Sequence, residues 1–110
     1  MNKFDIILVD LNPVKGSEQS GIRPCIILQN NYANKVARTF VIAIISSTLK
    51  TYPHTIIVDP SRANNLSNTS RIDLLQIRTI DEERIIKTIG TLDTEKQFEV
   101  DTKLRIAFAC

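Results

Sequence analysis

The apolar residues of this chain come in blocks too short for buried helices. Ile6 to Val9, Cys25 to Leu28 and Phe40 to Ile45 are typical, rich in β-branched side chains and each followed at once by polar residues. Such blocks read as strands. Strands are predicted over Phe4 to Leu11, Pro24 to Gln29, Thr39 to Ser47, Thr55 to Val58, Ser70 to Ile80 and Ile85 to Ile89, the last stopped by Gly90. The second and third are apolar at consecutive positions, so both their faces are buried and they belong at the centre of a sheet. On the fifth, Ile72, Leu74, Gln76 and Arg78 share one face by the period of two, as if the strand leaves the core and enters a polar cleft. Asn30 to Lys35 has room for one helical turn, and Asp81-Glu82-Glu83-Arg84 for a tight or single helical turn. After Gly90 the period changes. Thr94 and Gln97 form a capping box, and Val100, Leu104, Ala107 and Phe108 follow at helical spacing, so a C-terminal helix packs that stripe on the sheet. The expected class is mainly β with helix (α+β): a strongly curved antiparallel sheet or small barrel closed by one helix.

Length leaves room for a single domain, residues 1–110. No apolar run approaches the roughly 20 residues of a membrane span. Met1-Asn2-Lys3-Phe4-Asp5 reaches an acid before any long apolar run, so no signal peptide is expected and the cytoplasm is the expected compartment. Cys25 and Cys110 are then expected to be reduced thiols. One His and no Cys cluster give no zinc site, and no motif calls for a metal or any other cofactor. The net charge of +2 does not by itself announce a nucleic-acid binder, but its distribution is uneven. Residues 11 to 80 hold eight Lys or Arg against three acids, whereas residues 81 to 110 hold seven acids against five bases. A phosphate-binding face with a solvated opposite side gives this pattern, and so does ordinary surface scatter.

Between the first two strands lies Asn12-Pro13-Val14-Lys15-Gly16-Ser17-Glu18-Gln19-Ser20-Gly21-Ile22-Arg23-Pro24. Gly- and Pro-rich stretches are often plain connections, but structureless ones of more than roughly 12 residues tend to be functional or disordered. Pro24 pushes Arg23 toward an extended backbone at the mouth of the second strand, so its guanidinium projects from a rigid edge.

Asp10-Leu11-Asn12-Pro13, Gly16-Ser17-Glu18-Gln19, Gly21-Ile22-Arg23-Pro24 and Gln76-Ile77-Arg78-Thr79-Ile80-Asp81 resemble the MazF/PemK (Kid) toxins of bacterial type II toxin–antitoxin systems, with matching spacing from end to end. The resemblance implies an SH3-like barrel with a C-terminal helix, a homodimer, and a metal-independent endoribonuclease (mRNA interferase) that cuts single-stranded RNA at short specific sequences. It also implies an antitoxin whose C-terminal segment occupies the RNA groove. The residues implicated in cleavage match Arg23 and Ser46, with the register against Ser47 open by one; Ser17, Glu18, Gln19, Gln76 and Arg78 match positions near the substrate. Where some relatives carry an acid before the Gln, this chain has Leu75, which shifts the burden to Arg23 and Glu18.

The chemistry suits these residue types. Metal-free cutting needs a proton taken from the 2′-hydroxyl, the extra negative charge at phosphorus steadied, and the leaving oxygen protonated. Arg23 offers donors that match phosphate oxygens, Ser46 a hydroxyl if the third strand ends beside the second, and Glu18 the loop's one carboxylate as base. Such a base needs a carbon-rich neighbourhood to raise its pKa. His54 is a loop ring that could stack on RNA, Tyr32 and Tyr52 are the plausible base stackers, and Arg78 has an alternative as partner of Asp81 or Glu82. A binding toxin like the CcdB gyrase poisons is the other reading, weakened because this chain has no Trp.

Overall fold

A computed structural model describes residues 1–12 and 21–108. Strands β1 (Asp5–Asp10), β2 (Ile22–Ile27), β3 (Thr39–Ser46), β4 (Thr55–Val58), β5 (Ser70–Asp81) and β6 (Ile85–Thr91) form one sheet in the order β4-β5-β3-β2-β1-β6. Every neighbouring pair is antiparallel. Helix α1 (Asn31–Val36) links β2 to β3, a 3₁₀ turn (Glu82–Arg84) links β5 to β6, and α2 (Thr94–Phe108) closes the chain. The strand-rich class with a C-terminal helix is as the short apolar blocks require.

Because strand side chains alternate, the two-sided apolar runs divide into two cores. Ile6, Ile26, Ala43, Ile45, Ile56, Ile72 and Leu74 pack with Val100 of α2. Ile7, Val9, Cys25, Ile27, Ile42, Ile44 and Ile80 pack together in a second cluster. Strands β2 and β3 contribute to both, which is why they sit in the middle of the order.

Apart from the role of Gly90, four expectations need correction. The sheet is open, not a closed barrel: β4 and β6 stand at opposite ends of the strand order. The four-residue β4 uses its pairing on the first part of β5, while β6 meets the backbone of the 61–66 connection through the Thr91 N–H, which donates to the Ala63 carbonyl at 2.8 Å. On β5 the single face does not survive. The register jumps from Ala43↔Ile77 to Ile45↔Ile72, so extra residues bulge out between Ile72 and Ile77. The bulge is held by the Asp73 carboxylate, which accepts from the Leu75 N–H at 2.9 Å. Ile72 and Leu74 therefore enter the helix-side core, Leu75 and Gln76 are exposed, and Arg78 stands opposite Ile42 on the other side.

The last two corrections concern α2. Thr94 is already its first residue, and the Asp93 carbonyl accepts from the Lys96 and Gln97 N–H groups at 2.9 and 3.0 Å. Gln97 donates its amide to the Leu92 carbonyl at 2.7 Å, so it tethers the preceding loop instead of closing a box with Thr94. The Asp93 carboxylate is engaged by Ser61 Oγ at 2.7 Å and Asn64 Nδ2 at 2.9 Å. Val100 is fully buried and Leu104 packs against the core, but Phe108 is 62% exposed, so the stripe ends early.

Gly90 does not stop β6; it lets the strand run close beneath the 61–66 connection. A Cβ there would lie 2.5 Å from the Ala63 carbonyl oxygen and 2.6 Å from that of Asn64. These are backbone atoms of a segment pinned by Asn64, whose amide donates to the Asp59 carbonyl and the Asp93 carboxylate. Gly90→Ala is expected to lower unfolding free energy by about 1–3 kcal/mol in a urea titration; an unchanged midpoint would contradict the close approach.

Candidate functional site

The β2–β3 ladder pairs Cys25↔Ile44, Ile26↔Ala43 and Ile27↔Ile42. The paired ladder ends at Cys25↔Ile44, and Arg23 and Ser46 lie two residues beyond it on their strands. Ser46 in turn pairs with Arg71 of β5. Ser46 and Arg71 thus form a polar pair across β3 and β5, with Arg23 near the start of the adjacent β2. Arg23 and Ser46 are both half-buried, whereas Ser47, just past the end of β3, is exposed.

Local chemistry sets up the Arg23 end. Gly21 has a φ of +85°, in the left-handed region that glycine enters without strain. Its carbonyl accepts from the Leu11 N–H at 2.9 Å and its own N–H donates to Asn12 Oδ1 at 2.9 Å, so β1 and β2 are bound together where the intervening connection departs. Arg84, from the 3₁₀ turn, donates to the carbonyls of Asp10 and Asn12 and holds the end of β1 from outside.

Arg23, Ser46 and Ser47 line one open cavity of about 370 Å³. Leu8, Ile22 and Pro24 give it an apolar wall, and Asn65, Ser67 and Asn68 a polar rim. Those three polar residues are turn formers by composition, and nothing in their spacing tells a rim from a turn. Asn65 has a φ of +53° and donates its amide to the Ile89 carbonyl, which holds the rim over β6.

Gln76 and Arg78 line a separate shallow hollow on β5 with Leu75, Ile77 and Thr79. They do not share the Arg23 cavity, because the bulge carries this half of β5 away from Ser46. Cys25 feels both regions. Burial pushes that thiol from 9.0 up to about 12, against the opposing pull of the Arg78 and Arg23 guanidiniums, so Cys25 packs as a neutral side chain between two cations. Ser17, Glu18 and Gln19 lie outside the described residues. Arg71 was not anticipated from sequence; its place opposite Ser46 follows from the bulge, which periodicity does not reveal. Among the described residues no three His, Cys, Asp or Glu side chains are grouped where a metal ion could sit, and no helix is long and apolar enough to cross a membrane.

The family model described as PemK-like, MazF-like toxin of type II toxin–antitoxin system matches residues 2–108. The chain belongs to that family. Solved structures agree in fold. An endoribonuclease from a mycobacterial species, in complex with its cognate antitoxin, superposes with a TM-score of 0.81 at 20% identity over 97% of this chain and 93% of its own. MazF from Deinococcus radiodurans gives 0.81 at 21% identity over 100% and 97%, and the Mycobacterium tuberculosis toxin MazF-mt6 gives 0.79 at 20% identity over 94% and 95%. In this PemK/MazF-family chain the Gly21-Ile22-Arg23-Pro24 motif opens β2, and the Gln76–Asp81 motif forms the half of β5 beyond the bulge.

The Cys25 environment carries a measurable consequence. Its folded pKa lies above its unfolded value, so the thiol stays protonated in the fold where the unfolded chain ionises. The associated stability is present below pH 9 and is lost as pH rises toward 12. Across that window, urea unfolding should show the wild type losing about 1.4 kcal/mol per pH unit relative to Cys25→Ala. A difference that does not change with pH would contradict the buried neutral thiol.

Proposed function

We propose that this toxin-family chain is an endoribonuclease that cuts single-stranded RNA at short specific sequences, without a metal, by attack of a 2′-hydroxyl on the adjacent phosphorus. The observation that supports the reading is that Arg23, near the start of β2, and Ser46, at the end of the neighbouring β3, both border one cavity. As the nucleophile adds, negative charge builds on the non-bridging oxygens. Arg23 presents several N–H donors at fixed angles and keeps its charge at any working pH, so it stabilises that charge more than it stabilises the ground state. Ser46 donates one further hydrogen bond from the neighbouring strand. Both groups sit on ladder positions, which limits the reorganisation needed at the moment of reaction.

Glu18 is the proposed base that takes the 2′-hydroxyl proton; as the O2′–P bond forms, the P–O5′ bond breaks and the departing 5′ oxygen takes a proton from water, while Ser17 and Gln19 are proposed to hold the substrate. Ser47, exposed beyond the end of β3, is a binding residue in this account and not a catalytic one. Gln76 and Arg78, on the same strand as Arg71 but past the bulge, would meet the strand of RNA farther from the cut. Membership of a toxin–antitoxin family supports a protein antitoxin whose C-terminal segment competes for the RNA groove, a homodimeric toxin, and action on cytoplasmic mRNA. No cofactor enters any step.

In EDTA, purified protein is expected to leave a 2′,3′-cyclic phosphate on the upstream fragment and to spare a site whose nucleophilic 2′-hydroxyl is replaced by hydrogen. Arg23→Ala should lower kcat by about 100-fold or more, the usual loss on removing one transition-state donor, with the melting temperature little changed. Ser46→Ala should cost more activity than Ser47→Ala. Unimpaired cutting by Arg23→Ala, or cutting at the deoxy site, would refute the mechanism.

A further inference from the structure

The connection from β3 to β4 begins beside Ser46 and holds a preassembled aromatic pair. The rings of Tyr52 and His54 are parallel to within 5° with centroids 5.3 Å apart, and Lys50 Nζ lies 5.5 Å from the Tyr52 centroid. Tyr52 is nevertheless 43% exposed. The pair is not carried on a loose tip. Tyr52-Pro53-His54-Thr55 is a turn in which the Thr55 N–H donates to the Tyr52 carbonyl at 3.0 Å, with Pro at the position whose fixed φ such turns favour. The Thr55 hydroxyl donates to that carbonyl and accepts from the Tyr52 N–H, and Thr55 is only 3% exposed.

The polar pair at Ser46 braces this turn from the sheet. Arg71, the cross-strand partner of Ser46, donates Nη1 to the Lys50 carbonyl at 2.7 Å and places Nη2 3.6 Å from Asp73. The other Asp73 oxygen lies 3.6 Å from His54 Nε2, and the His54 carbonyl accepts from the Leu74 N–H at 3.0 Å. Arg71 Nε is buried without a hydrogen-bond partner among the described residues, so the guanidinium is placed for its two outer contacts at the expense of its inner one.

We propose that the Tyr52–His54 pair with Lys50 is a nucleobase-stacking subsite for single-stranded RNA, seating the nucleotide next to the phosphate held at Ser46, and that Arg71 is its positioning residue. The proposal rests on the RNA-cutting reading of the Arg23 cavity. Every base has a π face that an exposed aromatic ring can take, and the Lys50 ammonium supplies the charge for the following phosphate. A ring fixed before binding loses little freedom when a base stacks on it, which is the advantage of the turn and its brace.

The test compares wild type, Tyr52→Leu and Tyr52→Phe, sequencing fragment ends from a pool of random single-stranded RNA. Tyr52→Leu is expected to raise KM roughly 5-fold or more and to flatten base preference at one position beside the cut, while Tyr52→Phe keeps both. Unchanged KM and unchanged preference in a folded Tyr52→Leu protein would overturn the subsite even though cutting persists. Arg71→Lys should give the same change in preference with a smaller effect on kcat, and unaltered preference there would remove its positioning role. If the wild type cuts no RNA, or Tyr52→Leu does not fold, NMR of the wild type with a mixed-sequence DNA oligonucleotide decides: shifted Tyr52 and His54 ring protons support the subsite, and unshifted ones overturn it.

Discussion

The pairing of Cys25 with Ile44 is the constraint on which the rest of this site depends. It is set by packing and not by the polar residues themselves. Ile26, Ile27, Ile42, Ile44 and Ile45 are all 0% or 1% exposed, divided between the two cores by alternation. A slip of one residue between β2 and β3 would exchange the faces of every one of them on the strand that moved. Burying each such side chain contributes roughly 1.5–3 kcal/mol, so the core overrides any preference of a guanidinium or a hydroxyl for another place. The placing of Arg23 and Ser46 at the ends of adjacent strands is thus inherited from hydrophobic packing deeper in the sheet.

The surroundings extend that logic. The β5 bulge separates a strand that has to serve two neighbours into two halves. Its first half pairs with β4 and with the end of β3, and brings Arg71 to Ser46; its second half pairs with the start of β3 and takes Arg78 to Ile42. Cys25, neutral between Arg78 and Arg23, provides uncharged packing where a second acid or base would alter the field at both cations. The cavity rim, in turn, is held by Asn64. That fully buried amide also accepts from the Ser61 and Leu66 N–H groups at 2.9 Å each, so the 61–66 connection is as fixed as a strand.

Much of this was legible in the chain. Short apolar blocks specify strands, and β4 runs from Thr55 to Val58 as read. Two-sided apolarity placed β2 and β3 at the centre, and the change of period after Gly90 found α2. What was not legible depends on contacts between distant segments. Periodicity assumes an unbroken strand, so it put Gln76 and Arg78 on the face of Leu74. Cap rules see only neighbours, so Thr94 was read as the cap although the Asp93 carbonyl takes that part while its carboxylate serves Ser61 and Asn64. Motif resemblance pointed to Arg23 and left Ser46 and Ser47 open; the structure puts Ser46 at the end of β3 and Ser47 just past it, with both bordering the cavity that Arg23 also lines. Tyr52 and His54 could be read as possible stackers, but the meeting of Arg71 with their turn carries no local signal, because β4 and β5 make it.

A double-mutant cycle on RNA cleavage tests the central claim most directly, with rates measured for Arg23→Ala, Ser46→Ala and the combined variant. If the two side chains act on one phosphate, their losses overlap, and the combined variant should be little slower than Arg23→Ala alone, an interaction term of about 1–3 kcal/mol. Losses that simply add would mean that Arg23 and Ser46 work apart, and the register of β2 on β3 would then explain the fold without explaining the reaction.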